Sequence, residues 1–220
     1  MRIEQSDLLG TAFLGVFAAT NDKVTFLPPN TGEDFVTLAE DVLKTEAVIA
    51  SVANSSLLGV MTGMNSRCIA LPQTVYADER EKFGCCLGTA VLDGFTAVGN
   101  MMTANDNGAV LTPLVGEAQA KSIAEAFGVR VERAQVAGLD TPGSCVVATN
   151  RGFLSNPNTT KQELKSLQAL FGVGGEIGSL NYGSPFVKGC ILANSNGAIV
   201  GTTSTPFELG RVDDALFFEK

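Results

Sequence analysis

The stretch CVVATNRGFLSNP, Cys145 to Pro157, consists of two short apolar runs separated by Asn-Arg-Gly. Two apolar runs joined by an asparagine and small or polar residues are typical of a β-hairpin. The same arrangement occurs earlier as VMTGMNSRCIALP, Val60 to Pro72, and as VFAATNDKVTFLP, Val16 to Pro28. Because the asparagine and the proline keep nearly the same separation in each copy, the sequence indicates a repeated structural unit.

Five copies of the unit can be aligned on the hairpin asparagine. Successive asparagines are separated by 44, 40, 45 and 44 residues. A proline follows in the first four copies, whereas the fifth reads GAIVGTT at that place. The aligned residues are Asn21, Asn65, Asn105, Asn150 and Asn194. Units of about 44 residues therefore account for the whole chain.

Each unit continues with a helix and a further strand. The segments EDFVTLAEDVLK, EAQAKSIAEAFG and TKQELKSLQALFG have apolar residues at helical spacing. Thr160 and Glu163 form a capping-box pattern, and Gly128 and Gly172 lie where left-handed C-terminal caps are expected. The helix of the second unit is predicted to be the weakest, because Gly84 interrupts it. Strand-like segments such as AVIASVA follow, so each unit is predicted as strand, turn, strand, helix, strand.

A ring of five units is the predicted architecture. One helix on one small sheet cannot bury its own apolar face, whereas five units with sheets inward and helices outward share a core. The fifth unit ends at its helix, so the N-terminal segment, residues 2–15, is predicted to supply its last strand and close the ring. We therefore expect a single domain over residues 1–220, with repeats at about 14–58, 59–98, 99–142, 143–187 and 188–220 plus 1–13.

The composition limits the classes of function. Hydrophobic residues make up 45% and charged residues 17% of the chain, as in globular proteins, and the net charge of −8 disfavours broad electrostatic binding to nucleic acid. The five cysteines lie mostly in apolar runs without a CxxC motif, which indicates free thiols in a reducing compartment. With no histidine and no paired cysteines, no metal site is expected. No apolar run is long enough for a membrane helix, so the expected location is the cytoplasm.

Four segments of the repeats are characteristic: VGNMMTANDNGAVLTP, PGSCVVATNRGFLSNP, NYGSPFVKGCILANSNGAIVGTTST and the N-terminal LGVFAATN. Together they resemble the translation initiation factor 6 family, the ribosome anti-association factors of archaea and eukaryotes, in its compact archaeal form. The resemblance extends over about residues 3–218 and implies a pentein, a five-bladed α/β propeller with pseudo-five-fold symmetry.

The same resemblance implies a function. Family members bind the large ribosomal subunit, at ribosomal proteins and rRNA of its intersubunit face, and sterically block the small subunit. They also take part in large-subunit maturation, and their release is expected to need an SBDS-type protein and an elongation-factor-like GTPase. By this resemblance the chain is expected to act as a monomer without a cofactor.

Two other classes of function stay open at this point. Pentein rings also include guanidine-modifying hydrolases and transferases, which use a cysteine nucleophile with a histidine partner. This chain has no histidine, so a non-enzymatic protein is expected. Cys145 and Cys190 occupy similar places in their repeats, which favours a packing role. An enzyme using one of them with carboxylates alone is the alternative, and a structural ring without a ribosomal role is a third possibility.

The position five residues before each hairpin asparagine should be equivalent around the ring. These positions are Val16, Val60, Asn100, Cys145 and Gly189. Asn100 is the polar exception: it either satisfies backbone groups at the ring centre or faces out and hydrogen-bonds to a partner. By analogy with the family, the neighbouring Gly-Ser turns and a phenylalanine flank it on the ribosome-facing side. The predicted ribosome-binding residues are Asn100, Val60, Gly143, Ser144, Cys145, Gly183, Ser184 and Phe186.

Three basic residues follow the hairpin asparagine at similar places. They are Lys23, Arg67 and Arg151. If the hairpins share a face, these cations gather there and could contact rRNA phosphates. The alternative interpretation is solubilising charge at turn tips.

Overall fold

The computed structural model of the chain describes residues 3–217. In this part of the chain, fifteen strands form five three-stranded sheets. The first four sheets contain, in chain order, β2 (Ala19–Thr20), β3 (Val24–Leu27) and β4 (Glu46–Ile49); β5 (Gly63–Met64), β6 (Cys68–Pro72) and β7 (Gly88–Leu92); β8 (Met102–Ala104), β9 (Gly108–Leu111) and β10 (Arg130–Arg133); and β11 (Val146–Ala148), β12 (Gly152–Ser155) and β13 (Gly174–Ile177). The fifth contains β14 (Ile191–Ala193), β15 (Ala198–Gly201) and the N-terminal strand β1 (Ile3–Ser6).

Every sheet has the same topology. Its central strand pairs antiparallel with the strand before it, through the hairpin, and parallel with the strand that follows the long helix. In the fifth sheet the parallel partner comes from the opposite end of the chain, because β1 pairs with β15, Ile3 opposite Ala198 and Ser6 opposite Gly201. The predictions of a five-bladed pentein and of its closure by the N-terminal strand are thus confirmed.

Five long helices fill the five gaps between neighbouring sheets. The first of them, Glu33–Leu43, packs against β3 and β4 of its own unit and against β15 and β1 of the fifth. The helices are α2 (Glu33–Leu43), α4 (Ala77–Gly84), α6 (Glu117–Phe127), α8 (Lys161–Phe171) and α9 (Pro206–Leu216). The predicted capping box of Thr160 and Glu163 and the left-handed caps at Gly128 and Gly172 are present. As Gly84 indicated, α4 is the shortest of the five.

The core is divided among five apolar clusters, each shared by two neighbouring units. Phe83 of α4, for instance, packs edge to face on Phe26 of the preceding unit, with 4.8 Å between ring centroids. Since the apolar stripe of each helix is covered partly by another unit's sheet, one unit alone would leave much of it in water. The burial of apolar surface therefore stabilises the closed ring rather than any single unit.

The structure adds one element per unit that the sequence did not predict, a single helical turn before each hairpin. These turns are α1 (Leu14–Phe17), α3 (Leu58–Met61), α5 (Val98–Met101), α7 (Pro142–Cys145) and the 3-10 turn Val187–Cys190. They pack on one another around the ring axis. Their second residues are Gly15, Gly59, Gly99, Gly143 and Lys188.

Glycine at this position is required by the approach of the next backbone. A Cβ atom added to Gly99 would lie 2.1 Å from the carbonyl oxygen of Gly59, and one added to Gly59 would lie 1.9 Å from that of Gly15. These separations are far below any normal van der Waals contact. Backbone therefore touches backbone around the axis, and the second position of the turn fixes how closely the blades approach.

We expect Gly99→Ala to destabilise the ring by about 1–3 kcal/mol or more, because the added methyl group overpacks a contact between two backbones. Urea unfolding followed by circular dichroism measures the change. Gly210→Ala is the matched control, since Gly210 lies inside α9 with no atom within 4 Å of an added Cβ. That substitution should raise the free energy of unfolding by about 0.5–1 kcal/mol. Equal stability of Gly99→Ala and the wild type would contradict the close-approach explanation.

Candidate functional site: two mouths of the ring

The buried asparagine of each hairpin joins neighbouring units. Asn105 Oδ1 accepts hydrogen bonds from the backbone N–H groups of Asn107 and Gly108, both at 3.0 Å, and so closes its own turn. Its Nδ2 donates to the carbonyl oxygens of Thr149 at 3.0 Å and Phe171 at 2.9 Å. One side chain thus links its turn to the next turn and to the last residue of α8. Asn65 and Asn194 link the next turn and a helix end in the same way, and Asn21 donates to the next turn, at the carbonyl oxygen of Asn65.

In the fourth unit the equivalent residue is Thr149, so the alignment on Asn150 is wrong by one residue. Thr149 Oγ1 accepts from the N–H groups of Arg151 at 3.1 Å and Gly152 at 3.2 Å, as the asparagines do in the other units. The backbone N–H of Thr149 donates to Gly152, which matches the bond from Asn105 to Gly108. A threonine hydroxyl can close the turn, which is why a search for asparagine alone missed it.

The five hairpin turns form one end of the ring, here called the turn mouth, around Asp22, Ser66, Asp106, Asn150 and Ser195. Asn150 Nδ2 donates to Asp22 Oδ2 at 2.7 Å and to Asp106 Oδ2 at 2.8 Å. The remaining carboxylate oxygens accept backbone N–H groups, from Ser195 at 2.7 Å and Ser66 at 2.8 Å. The acidic groups are therefore occupied by neighbouring turns and hold this end of the ring together.

The three predicted basic residues each follow a hairpin turn at this end of the ring, but none is among the residues that line the turn mouth, and the gathering of their charges stays a prediction. Arg67 Nη1 donates to the carbonyl oxygen of Gly128 at 3.2 Å, and Arg151 Nη2 donates to that of Phe217 at 3.5 Å. Both acceptors follow the last residue of a long helix, where a positive charge is favourable. Lys23 is exposed. Two of the three cations thus have a structural role, and rRNA contact stays a prediction.

The helical turns form the opposite end of the ring, the helix mouth, which is a depression of about 430 Å³. It is lined by Phe13, Gly15, Val16, Gly59, Val60, Asn100, Thr141, Ser144, Ser184, Phe186, Lys188 and Gly189. Five of the eight predicted ribosome-binding residues are among them. Sequence reasoning missed Phe13, Thr141 and Lys188. Phe13 and Thr141 precede a helical turn, and Lys188 is the one residue other than glycine at the second position of these turns, so an alignment of the turns could have identified all three.

Three predicted site residues are placed elsewhere. Cys145 is fully buried in the core, so its side chain cannot contact a partner; Ser144 occupies the equivalent surface position because of the one-residue shift. Gly143 is buried against the carbonyl oxygen of Gly99. Gly183 is exposed in the loop before the 3-10 turn and does not line the depression.

Asn100 lies in the depression with its side-chain amide free of hydrogen bonds to residues 3–217. The donors and acceptor of the Asn100 amide are thus not used by the described part of the ring, and their contact with a partner stays a prediction. Satisfaction of local backbone groups, the other interpretation, is not observed within the described part of the chain.

Comparison of the sequence with known protein families assigns the chain to one of them. The model of the eIF-6 family matches residues 3–215. The chain belongs to the eIF-6 family. It is 39% identical to translation initiation factor 6 of Pyrococcus furiosus, covering 99% of this chain and 100% of that protein. Translation initiation factor 6 of Picrophilus torridus is 36% identical over 97% of this chain and 99% of its own length. The factor of Pyrobaculum aerophilum is 34% identical, with 95% and 96% covered.

These names belong to translation factors and not to a class of enzymes. The placement of the thiols in this eIF-6 family chain agrees with that, because the two candidate nucleophiles are buried. Cys145 and Cys190 are both fully buried and line neither mouth. Burial raises the pKa of both thiols, that of Cys190 to about 11, so the reactive thiolate is scarce at neutral pH. Neither cysteine is arranged as a nucleophile.

In residues 3–217, no helix has both the length and the hydropathy to cross a bilayer.

Thiol labelling of the native protein with a maleimide should modify Cys85 and Cys86, which are exposed, while the other three cysteines stay unmodified. All five should react after unfolding in urea, because burial and not chemistry protects Cys68, Cys145 and Cys190. Mass spectrometry of peptides identifies the labelled residues. Rapid labelling of Cys145 or Cys190 in the folded protein would restore the cysteine-nucleophile alternative.

Glu208 positions the loop that carries Ser184 and Phe186 to the depression. Its Oε1 accepts from Ser179 Oγ and from the N–H of Gly183, both at 2.9 Å, and its Oε2 accepts from the N–H of Tyr182 at 3.2 Å. Tyr182 and Gly183 have positive φ angles of 59° and 98°. Burial alone would raise the pKa of Glu208, but these hydrogen bonds and those from Thr205 lower it overall. The carboxylate therefore holds a strained loop in place.

Glu208→Gln should reduce the free energy of unfolding by about 1–3 kcal/mol at pH 7, because an NH₂ group then faces backbone donors. Since the folded-state pKa lies below the ordinary value, the wild-type contribution is complete above about pH 4.5 and is lost as pH falls through the folded pKa. The difference between wild type and variant should therefore shrink on acidification. Glu33→Gln, on an exposed helix start, is the matched control and should change little. A pH-independent difference would contradict this role.

Proposed function

We propose that this protein binds the large ribosomal subunit in the cytoplasm and sterically prevents its association with the small subunit. Membership of the eIF-6 family supports the proposal, as do relatives that are named translation initiation factors over nearly their whole length. A further role in large-subunit maturation belongs to the same proposal, because a factor that covers the intersubunit face protects an unfinished subunit from premature joining.

The helix mouth is the proposed docking surface, and its exposed apolar rim is the observation that carries the proposal. Phe13, Leu57 and Phe186 are 44%, 38% and 46% exposed, at equivalent places before three of the five helical turns. Large apolar side chains grouped around a concave surface are typical of protein–protein contacts. Asn100 and Ser144 between them provide polar groups that fix the orientation of a partner.

The turn mouth is a poorer candidate for this contact. Its asparagines and aspartates already hydrogen-bond to neighbouring turns, so a partner would have to compete with bonds that hold the ring closed. Docking through the helix mouth breaks none of them. When the helix mouth faces the subunit, Lys23 lies at the opposite end of the ring, so it could contact only rRNA that extends past the side of the ring.

Affinity would come from a surface that is formed before binding. The rim residues belong to backbone segments fixed by the glycine contacts at the axis and, near Phe186, by Glu208. Such a surface loses little conformational entropy on association. The net charge of −8 would attract basic ribosomal proteins and make the association rate fall with salt.

Release would then require work on the complex by other proteins. A tightly bound factor dissociates slowly, because differences in affinity lie mostly in the dissociation rate. We propose an SBDS-type protein and an elongation-factor-like GTPase as the releasing partners, and a monomer as the active form.

Asn100→Arg should weaken binding to purified large subunits at least tenfold, because a long charged side chain would fill the depression and prevent close contact. Co-sedimentation with large and small subunits measures the affinity. Gln162→Arg makes the same charge change on the exposed face of α8, so it should bind within about twofold of the wild type if charge alone is not decisive.

Sucrose gradients test the consequence for the ribosome. Added wild-type protein should lower joined ribosomes and raise free large subunits, and Asn100→Arg should do neither. Unchanged profiles at saturating wild-type protein would refute the anti-association role. Equal binding by Asn100→Arg and Gln162→Arg would instead refute the assignment of the docking surface.

A further inference from the structure

Lys188 breaks the symmetry of the ring at its axis. It stands where the other four units have glycine, and its side chain crosses the ring from the fifth unit to the third, where Nζ donates to the carbonyl oxygen of Gly99 at 2.7 Å. Lys188 lines both the depression of the helix mouth and the axial channel behind it, a cavity of about 60 Å³. It therefore forms the base of the depression.

The ammonium of Lys188 has no anionic partner among residues 3–217. Its one hydrogen bond there goes to a neutral carbonyl oxygen, which leaves two of its three N–H donors for a ligand. Within the described chain, no other titratable side chain lines the depression or the channel. The nearby thiols of Cys145 and Cys190 stay protonated at neutral pH because burial raises their pKa. Burial likewise lowers the pKa of Lys188 to about 8, so it is mostly charged at pH 7.

The walls above this cation are largely apolar. Val16, Val60 and Phe186 line the depression, with Ser144 and Ser184 as smaller polar groups. A volume of about 430 Å³ lies in the range of small-molecule sites, which are concave, mostly apolar and equipped with a few polar groups. A charged group at the base of such a site is a strong determinant of ligand class.

We propose that the helix mouth binds a carboxylate carried on a short apolar chain, with the carboxylate on Lys188 Nζ and the chain along Val16, Val60 and Phe186. A single cation in an acidic protein suits a monoanion better than a phosphate, whose second charge would be uncompensated. The channel behind Lys188 is too small for more than water, so the carboxylate enters from the depression. The site is a property of the isolated protein and does not depend on ribosome binding.

Titration calorimetry with butyrate, hexanoate and octanoate at pH 7 tests the site. Affinity should rise about twofold to fourfold for each added methylene that is buried. Octanol, which has the same chain without the charge, should bind at least tenfold more weakly than octanoate. If octanol bound as tightly as octanoate, the charge would be irrelevant and the proposal would be overturned. It would also be overturned if acetate or chloride bound as tightly as octanoate, because the apolar walls would then be irrelevant.

Lys188→Met should lower octanoate affinity at least tenfold, whereas Lys121→Met, the same change on an exposed helix, should leave it unchanged. The wild type provides a second measurement that needs no variant. As pH rises from 7 to 9.5 the ammonium loses its charge, so octanoate binding should weaken while octanol binding stays constant. Octanoate binding that is independent of pH, or that survives in Lys188→Met, would show that the carboxylate does not meet Lys188.

Discussion

The close approach of backbones around the axis is the constraint on which the rest of the ring depends. Four helical turns place glycine against the carbonyl oxygen of the neighbouring unit, and this sets the distance at which the sheets meet the helices between them. The five apolar clusters can form only at that distance, since each is built from two units. At the opposite end of the ring, the hairpin asparagines hydrogen-bond the units to one another, so neither end can open without loss at the other.

The two mouths differ because their polar groups are used differently. At the turn mouth, side chains such as Asp22 and Asp106 accept hydrogen bonds from other residues of the ring. At the helix mouth, Asn100 and Lys188 keep donors that the described residues do not occupy, next to exposed apolar side chains. Exposed apolar area beside polar groups that the ring itself does not use is typical of a contact surface. This contrast supports the proposal that the helix mouth is the docking surface.

Much of the fold could be predicted from the sequence because its repeats combine hairpin patterns, helix caps and a helix periodicity that agree with one another. The helical turns were missed because four residues such as Leu14–Phe17 are too short to show a period. The lining of the helix mouth was predicted in part. Counting within the repeat found Asn100 and Val60, whereas it placed the buried Cys145 at the surface because Thr149 replaces the asparagine in the fourth unit. Lys188 was missed because the helical turns were missed, and without them the sequence does not show that Lys188 is equivalent to the glycines of the other units.

Departures from the five-fold pattern differ between the two ends of the ring in how far the ring uses their polar groups. At the turn mouth the departure at Thr149 is compensated, since it closes its turn through Oγ1, while Arg151 reaches the end of α9 as Asn107 reaches the end of α8. At the helix mouth, the Asn100 side chain makes no hydrogen bond to residues 3–217, and Lys188 makes one, to the carbonyl oxygen of Gly99, which leaves two of its donors unused. A symmetric ring needs none of these polar groups, because valine and glycine suffice at the same places in other units. These two departures leave polar groups that the ring does not fully use, and both lie in one depression, which supports the proposal that this end of the ring contacts a partner.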